Sequence, residues 1–132
     1  MNISFALQHV ALQTNHFEQA LAFYRDTLGL RLLKKGSSVK GRQIAWFQSG
    51  PTMIELYSGK PEQALEKRWN EHGVGPLHIA LRVDNLEKAI ALLKTKGVRI
   101  LKEPFEPVPG ERAAFIEGPD QEEIELTELP IG

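Results

Sequence analysis

Cysteine is missing from all 132 residues. Its absence excludes disulfides, thiolate metal sites and a cysteine nucleophile, and it fits a reducing compartment such as the cytoplasm. No apolar run is long enough to cross a bilayer, so no membrane partner is expected. The first residues, Met1 to Gln8, lack a basic start followed by an apolar stretch, so no secretion signal is expected. Neither charge sign dominates: 16 Lys and Arg stand against 17 Asp and Glu. Lys34-Lys35 and the basic stretch 94–102 have acidic residues around them, so they read as solvated surface and no nucleic-acid partner is expected. Low-complexity tracts are also lacking. What is present, 42% hydrophobic and 25% charged residues, is an ordinary globular balance in a chain long enough to bury a core as one domain, 1–132.

The most informative positive feature is an internal repeat. His9-Val10-Ala11-Leu12 returns as His78-Ile79-Ala80-Leu81, and Ile54-Glu55-Leu56 returns as Ile124-Glu125-Leu126. The offsets are 69 and 70 residues, and the His-to-Glu spacing is 46 in the first copy and 47 in the second.

Each copy carries the same run of elements. Alternation predicts a strand over Leu7 to Gln13, with His9, Ala11 and Gln13 on one face and Val10 and Leu12 on the other. Asn15 and Glu18 have the spacing of a helix cap with its return partner. Phe17, Ala20, Leu21, Tyr24 and Leu28 follow at helical spacing and Gly29 closes the helix. Strands are expected at Leu30 to Lys34, Gln43 to Gln48 and Thr52 to Tyr57, with turns at Gly36-Ser37-Ser38 and Ser49-Gly50-Pro51. The second copy repeats the order. It has a strand over Leu77 to Val83 and a helix capped by Asp84 and Glu87 and stopped at Gly97. Strands follow at Val98 to Leu101, Arg112 to Glu117 and Glu123 to Glu128. Between the copies, 61–75 reads as a linker, with a short helix from Pro61 to Trp69. The expectation is an α+β fold of two tandem βαβββ modules, 5–60 and 76–129. They would pair into a cupped, mostly antiparallel sheet with the helices on its outer face.

Alternation also places the polar residues. Glu55 lies between Ile54 and Leu56, Glu125 between Ile124 and Leu126, and His78 shares its face with Ala80 and Arg82. All four repeated His and Glu residues should therefore face away from the helices. A lone strand histidine or glutamate is usually an ordinary surface residue, but four at one repeated register are rarely coincidental. If the modules pair by a pseudo-two-fold, these side chains can converge. Two imidazoles and two carboxylates suit a divalent ion such as Zn, Ni, Co, Mn or Fe. His16 and His72 have no repeat counterpart and read as surface residues. Trp46, Phe47 and Trp69 are candidates for pocket walls but read first as core or linker packing.

These phrases resemble the vicinal oxygen chelate superfamily, and within it the glyoxalase I branch. The resemblance runs from Gln8-His9-Val10-Ala11-Leu12 to Ile124-Glu125-Leu126 and includes Ala22-Phe23-Tyr24-Arg25-Asp26-Thr27-Leu28-Gly29, the segment from Leu77 to Asn85, and the hairpin phrase Gly118-Pro119-Asp120. It implies a single divalent-metal domain with His9, Glu55, His78 and Glu125 as ligands, and a small-molecule substrate. It implies a homodimer and a lyase or isomerase that moves a proton between two carbons through an enediolate. Glu125 would be the base and Glu55 its mirror partner.

The chain departs from glyoxalase I at Gln13, where that branch carries an arginine used for glutathione. It departs again after Glu55, where Tyr57-Ser58-Gly59 stands near the usual asparagine. It departs a third time at Gln121, where the final turn usually has glycine. The first two bear on glutathione rather than on the metal. Arg82, the repeat counterpart of Gln13, is a candidate anion contact, and both are candidate substrate-binding residues. Other activities on this fold are an acyl-CoA epimerase, which usually has Gln at the Glu55 position, and an extradiol dioxygenase, which uses three protein ligands on iron. A fosfomycin thiol transferase also uses three ligands, and non-catalytic drug-binding proteins of the bleomycin-resistance type generally lack the tetrad.

Overall fold

The computed structural model describes residues 3–39, 41–59 and 77–128. The linker, its expected helix from Pro61 to Trp69, and His72 lie outside the described residues. The chain divides into two compact units, 1–65 and 66–132.

In the first unit the order is β1 (His9–Thr14), α1 (Phe17–Ala22), a π-helical turn (Phe23–Thr27), β2 (Arg31–Ser37), β3 (Gln43–Ser49) and β4 (Thr52–Ser58). In the second it is β5 (Ile79–Arg82), α2 (Leu86–Thr95), β6 (Ile100–Phe105), β7 (Arg112–Glu117) and β8 (Glu123–Glu128). The two sheets have the same plan, β1-β4-β3-β2 and β5-β8-β7-β6. In each, the first and last strands pair in parallel and the other pairs are antiparallel. The βαβββ expectation is met in both copies.

Both helices are shorter than the ~12–15 residues at which isolated helices become marginally stable, so packing must hold them. In the first unit Phe17, Ala20, Leu21 and Tyr24 are buried together with Leu12, Phe47, Ile54 and Leu56. Tyr24 meets Phe47 with ring centroids 5.9 Å apart. In the second, Leu86, Ile90 and Leu93 are buried with Ala114, Ile116, Ile124 and Leu126. Among the strand residues, Leu12, Ile54, Leu56, Ile124 and Leu126 are on the side that alternation turned toward the helices.

The helix starts differ from expectation. The residue before α1 is His16, without a side-chain cap bond, and its backbone N–H donates to Oγ1 of the fully buried Thr14. At α2 the cap is Asn85 rather than Asp84: its Oδ1 accepts from the Lys88 N–H at 2.9 Å. A second acceptor comes from far along the chain, where Glu128 Oε2 takes the Leu86 N–H at 2.5 Å. Four N–H groups at a helix start lack intrahelical partners, and Asn85 and Glu128 satisfy two of them.

The helix ends follow the glycines. Gly97, at φ 78°, closes α2 with bonds from Gly97 N–H to Lys94 O and Val98 N–H to Leu93 O, the Schellman arrangement. Gly29, at φ 74°, closes the first helix, but there Leu28 N–H reaches Phe23 O and Leu30 N–H reaches Tyr24 O, each one residue further back than the bonds at the matching places in α2, Lys96 N–H to Leu92 O and Val98 N–H to Leu93 O. From the first helical residue to the closing glycine is 12 positions in the first copy (Phe17 to Gly29) and 11 in the second (Leu86 to Gly97). The π-helical turn absorbs the extra residue.

Two edge strands run longer than expected. β2 continues through Gly36 and Ser37, read above as a turn, and β6 continues through Pro104. Proline cannot donate to a ladder, but β6 is an edge strand and its pairing skips from Lys102 to Phe105. Each edge strand also shifts register at a half-exposed leucine, Leu33 in β2 and Leu101 in β6.

Candidate functional site

The faces opposite the helices carry the repeated polar residues. In the first unit β1 sets Ala11 beside Glu55, and His9 precedes Ala11 by two positions on the same face. His9 Nε2 lies 2.9 Å from Glu55 Oε2. The other histidine nitrogen, Nδ1, hydrogen-bonds the side-chain oxygen of Gln8. Across the β3–β4 hairpin Trp46 pairs with Glu55, and its indole Nε1–H donates to Glu55 Oε1 at 2.5 Å. Both oxygens of Glu55 are thus engaged. Lys34 lies over the Trp46 ring, 4.5 Å from its centroid, and covers the indole from the edge strand.

The second unit repeats the geometry with different support. His78, which immediately precedes β5, places Nε2 2.7 Å from Glu125 Oε2. The residue paired with Glu125 from β7 is Phe115. It donates no hydrogen bond and instead meets the His78 ring edge-to-face at 5.3 Å, with Phe105 stacked beyond it at 6.1 Å. Glu125 Oε1 therefore has no hydrogen-bond partner among the described residues.

The structure brings His9 to Glu55 and His78 to Glu125; among the described residues no cluster of three or more metal-ligating side chains forms. Gln13 accepts a hydrogen bond from Arg42, while Arg82 stands exposed on β5 beside Thr127. His16 is exposed, Phe47 is fully buried on the helix side, and Trp46 belongs to the polar face. The Trp46 contact went unread in the sequence although a signal for it exists. Ser49 pairs with Thr52 across Gly50-Pro51, and counting back from that two-residue turn puts Trp46 opposite Glu55.

The donor chemistry of the pairs fits a divalent cation. Imidazole nitrogen with carboxylate oxygen is the mixed set that Zn, Ni, Co, Mn and Fe accept. Two ligands about 2.1 Å from one ion at right angles stand about 3 Å apart, and the pairs measure 2.9 and 2.7 Å. That spacing is also normal for a charge-assisted hydrogen bond, which holds each imidazole beside its carboxylate.

The chain is a member of the Glyoxalase/Bleomycin resistance protein/Dioxygenase superfamily, whose family model matches residues 6–126. Within that superfamily it is 31% identical over 129 residues to the lactoylglutathione lyase of Salmonella typhimurium, covering 92% of this chain and 91% of that one. It is 28% identical over 125 residues to YwkD, an uncharacterized protein of Bacillus subtilis, covering 93% and 96%. The fold matches a glyoxalase family protein from Enterococcus faecalis with TM-score 0.79 at 22% identity, covering 93% and 97%. It also matches a point mutant of the fosfomycin resistance protein FosX from Listeria monocytogenes, solved with Mn(II), with TM-score 0.74 at 17% identity, covering 98% and 96%. Among the described residues no helix is long and apolar enough to cross a membrane.

Proposed function

We propose that this chain is a divalent-metal-dependent lyase or isomerase of the glyoxalase I type, with His9, Glu55, His78 and Glu125 as the ligand set. We take modules 5–60 and 76–129 as one domain acting as a homodimer on a small-molecule substrate. The observation that carries this reading is the twofold occurrence of a His–Glu pair, 2.9 and 2.7 Å apart, at matching registers of two like units. Relatives named lactoylglutathione lyase at about this similarity support the reaction class.

A divalent ion held by these residues supplies Lewis acidity, which lowers the cost of negative charge beside a carbonyl. The proton work falls to the glutamates, and their surroundings divide the roles. Glu55 is gripped at both oxygens, by His9 and by Trp46, which suits a fixed anchor. Among the described residues Glu125 is held at Oε2 alone, and its Oε1 is the oxygen suited to take a proton from the carbon next to a carbonyl and return it to the neighbouring carbon. The Phe115 ring against His78, with Phe105 stacked beyond it, gives this pair an apolar flank where the first pair has the Trp46 indole donor.

Two measurements test this. Elemental mass spectrometry of protein purified without chelator should find about one Ni, Co, Zn, Mn or Fe per chain; no metal, and none taken up on addition, overturns the ligand set. Glu125→Gln should keep the fold and lower turnover of a hemithioacetal by about 10²–10⁴-fold, the usual contribution of a positioned base. Unchanged turnover in that variant rules Glu125 out as the base.

A further inference from the structure

We infer that Arg42, framed by Gln13 and Tyr57, is a carboxylate-binding subsite on the face that carries His9 and Glu55. Arg42 immediately precedes β3, and its backbone is fixed by Ser38: the Arg42 N–H donates to Ser38 Oγ at 3.1 Å, and Arg42 O accepts from the Ser38 N–H at 2.8 Å. Its guanidinium is fixed as well. Nε–H donates to the Ser58 carbonyl at 2.7 Å, Nη2–H donates to Gln13 Oε1 at 2.6 Å, and the group lies 5.0 Å from the Tyr57 ring centroid. Every one of these partners is neutral. The acidic residues that pair with cations in the described structure pair with other side chains, and no carboxylate forms an ion pair with Arg42 among the described residues.

A guanidinium has five N–H donors, and two are used here. The remaining donors belong to a charge with no counter-ion among the described residues, on a side chain already held by three contacts. Such a group loses little rotamer freedom on binding. Planar donors of this kind match a carboxylate with two parallel charge-assisted bonds. Where the subsite lies defines what fits it. Gln13 pairs with Tyr57, and Ala11 pairs with Glu55 two positions earlier on the same face. At about 3.3 Å per residue the subsite lies about 7 Å along the strands from the His9–Glu55 pair. The ligand class is a flexible acid whose carboxylate stands about that far from the group held at the His9–Glu55 pair. Placing a metal-held group of the ligand at His9 and Glu55 rests on the proposed function; the subsite itself does not.

The test is calorimetric titration of the full chain with glutathione and with its diethyl ester, in which both carboxylates are capped. No turnover is read, so failure of the base assignment or of the ligand set is scored separately from failure here. Wild type should bind glutathione about 10- to 100-fold more tightly than the diester, the worth of hydrogen bonds to a charged group. Arg42→Ala should erase that preference. Arg42→Lys, which keeps the charge and replaces the planar donors with a point charge, should retain part of it and serves as the folded control. Equal affinity of wild type for the two probes, no binding of either, or an undiminished preference in Arg42→Ala overturns the proposal.

Discussion

Replacing Gln121 with glycine should make this protein more stable. Gln121 has φ 65°, the one positive value outside glycine among the described residues. It closes the β7–β8 hairpin. Gln121 N–H donates to Gly118 O at 3.1 Å and Gly118 N–H donates to Glu122 O at 2.9 Å, so a turn with Pro119 at its second position is followed by a left-handed residue. That loop form ordinarily puts glycine in the left-handed place. An L-residue there costs about 1–2 kcal/mol because Cβ crowds the following carbonyl. Glycine removes that cost but has about 0.5–1 kcal/mol more backbone freedom to lose on folding. The difference is a gain of about 0.5–1 kcal/mol, or about 2–4 °C in Tm for a chain of this length. The Gln121 side chain is exposed, so little packing is lost with it. Thermal and urea unfolding of wild type, Gln121→Gly and Gln121→Ala would measure it. Alanine keeps Cβ and should give no gain. An unchanged or lower midpoint for the glycine variant, or an equal rise with alanine, refutes the strain argument.

Trp46→Phe removes the indole donor from Glu55 while keeping an aromatic ring, as Phe115 does in the other copy. Metal affinity should fall by about 10–100-fold, the usual cost of losing a supporting bond to a ligand, as read by competition with a chelator. Asn85→Ala should cost about 1 kcal/mol in urea unfolding, whereas Asp84→Ala should change stability by a few tenths at most. The exposed Glu87 carboxyl is held below its ordinary pKa of 4.5, chiefly by the hydrogen bond from Arg112 and next by its own backbone. A depressed carboxylate adds stability above its unfolded value and loses it as pH falls through the folded one. Arg112→Gln should therefore lower the unfolding midpoint slightly at pH 6 and match wild type once pH is well below 4.5.

The sequence revealed what depends on periodicity. Alternation gave the buried and open faces of β1, β4 and β8, and the two glycines marked the helix ends. It did not reveal what depends on local geometry. Asp84 and Asn85 are both good cap residues, and only the extended backbone at Asn85, φ −141° and ψ 108°, decides between them. The strand expected over Val98 to Leu101 runs on through Pro104, because an edge strand with a shifted register tolerates proline. The different environments of the two glutamates were hidden because the repeat equates them, while Trp46 and Phe115 reach them from other strands. Arg42 gave no signal because its contacts, with Gln13 on β1 and with Tyr57 and Ser58 on β4, join residues far apart in the chain.

The π-helical turn at Phe23–Thr27 has a consequence for how such a duplicated chain can drift. The sheet acts as a ruler: one added residue in a strand would invert every side chain beyond it and turn a glutamate away from its histidine. The helix acts as a slack loop. It takes one more residue than its twin as a widened turn, and the strands that follow still bring Glu55 to His9. Length variation is thereby diverted to the outer layer, and the two halves can lose their resemblance without losing their pairs.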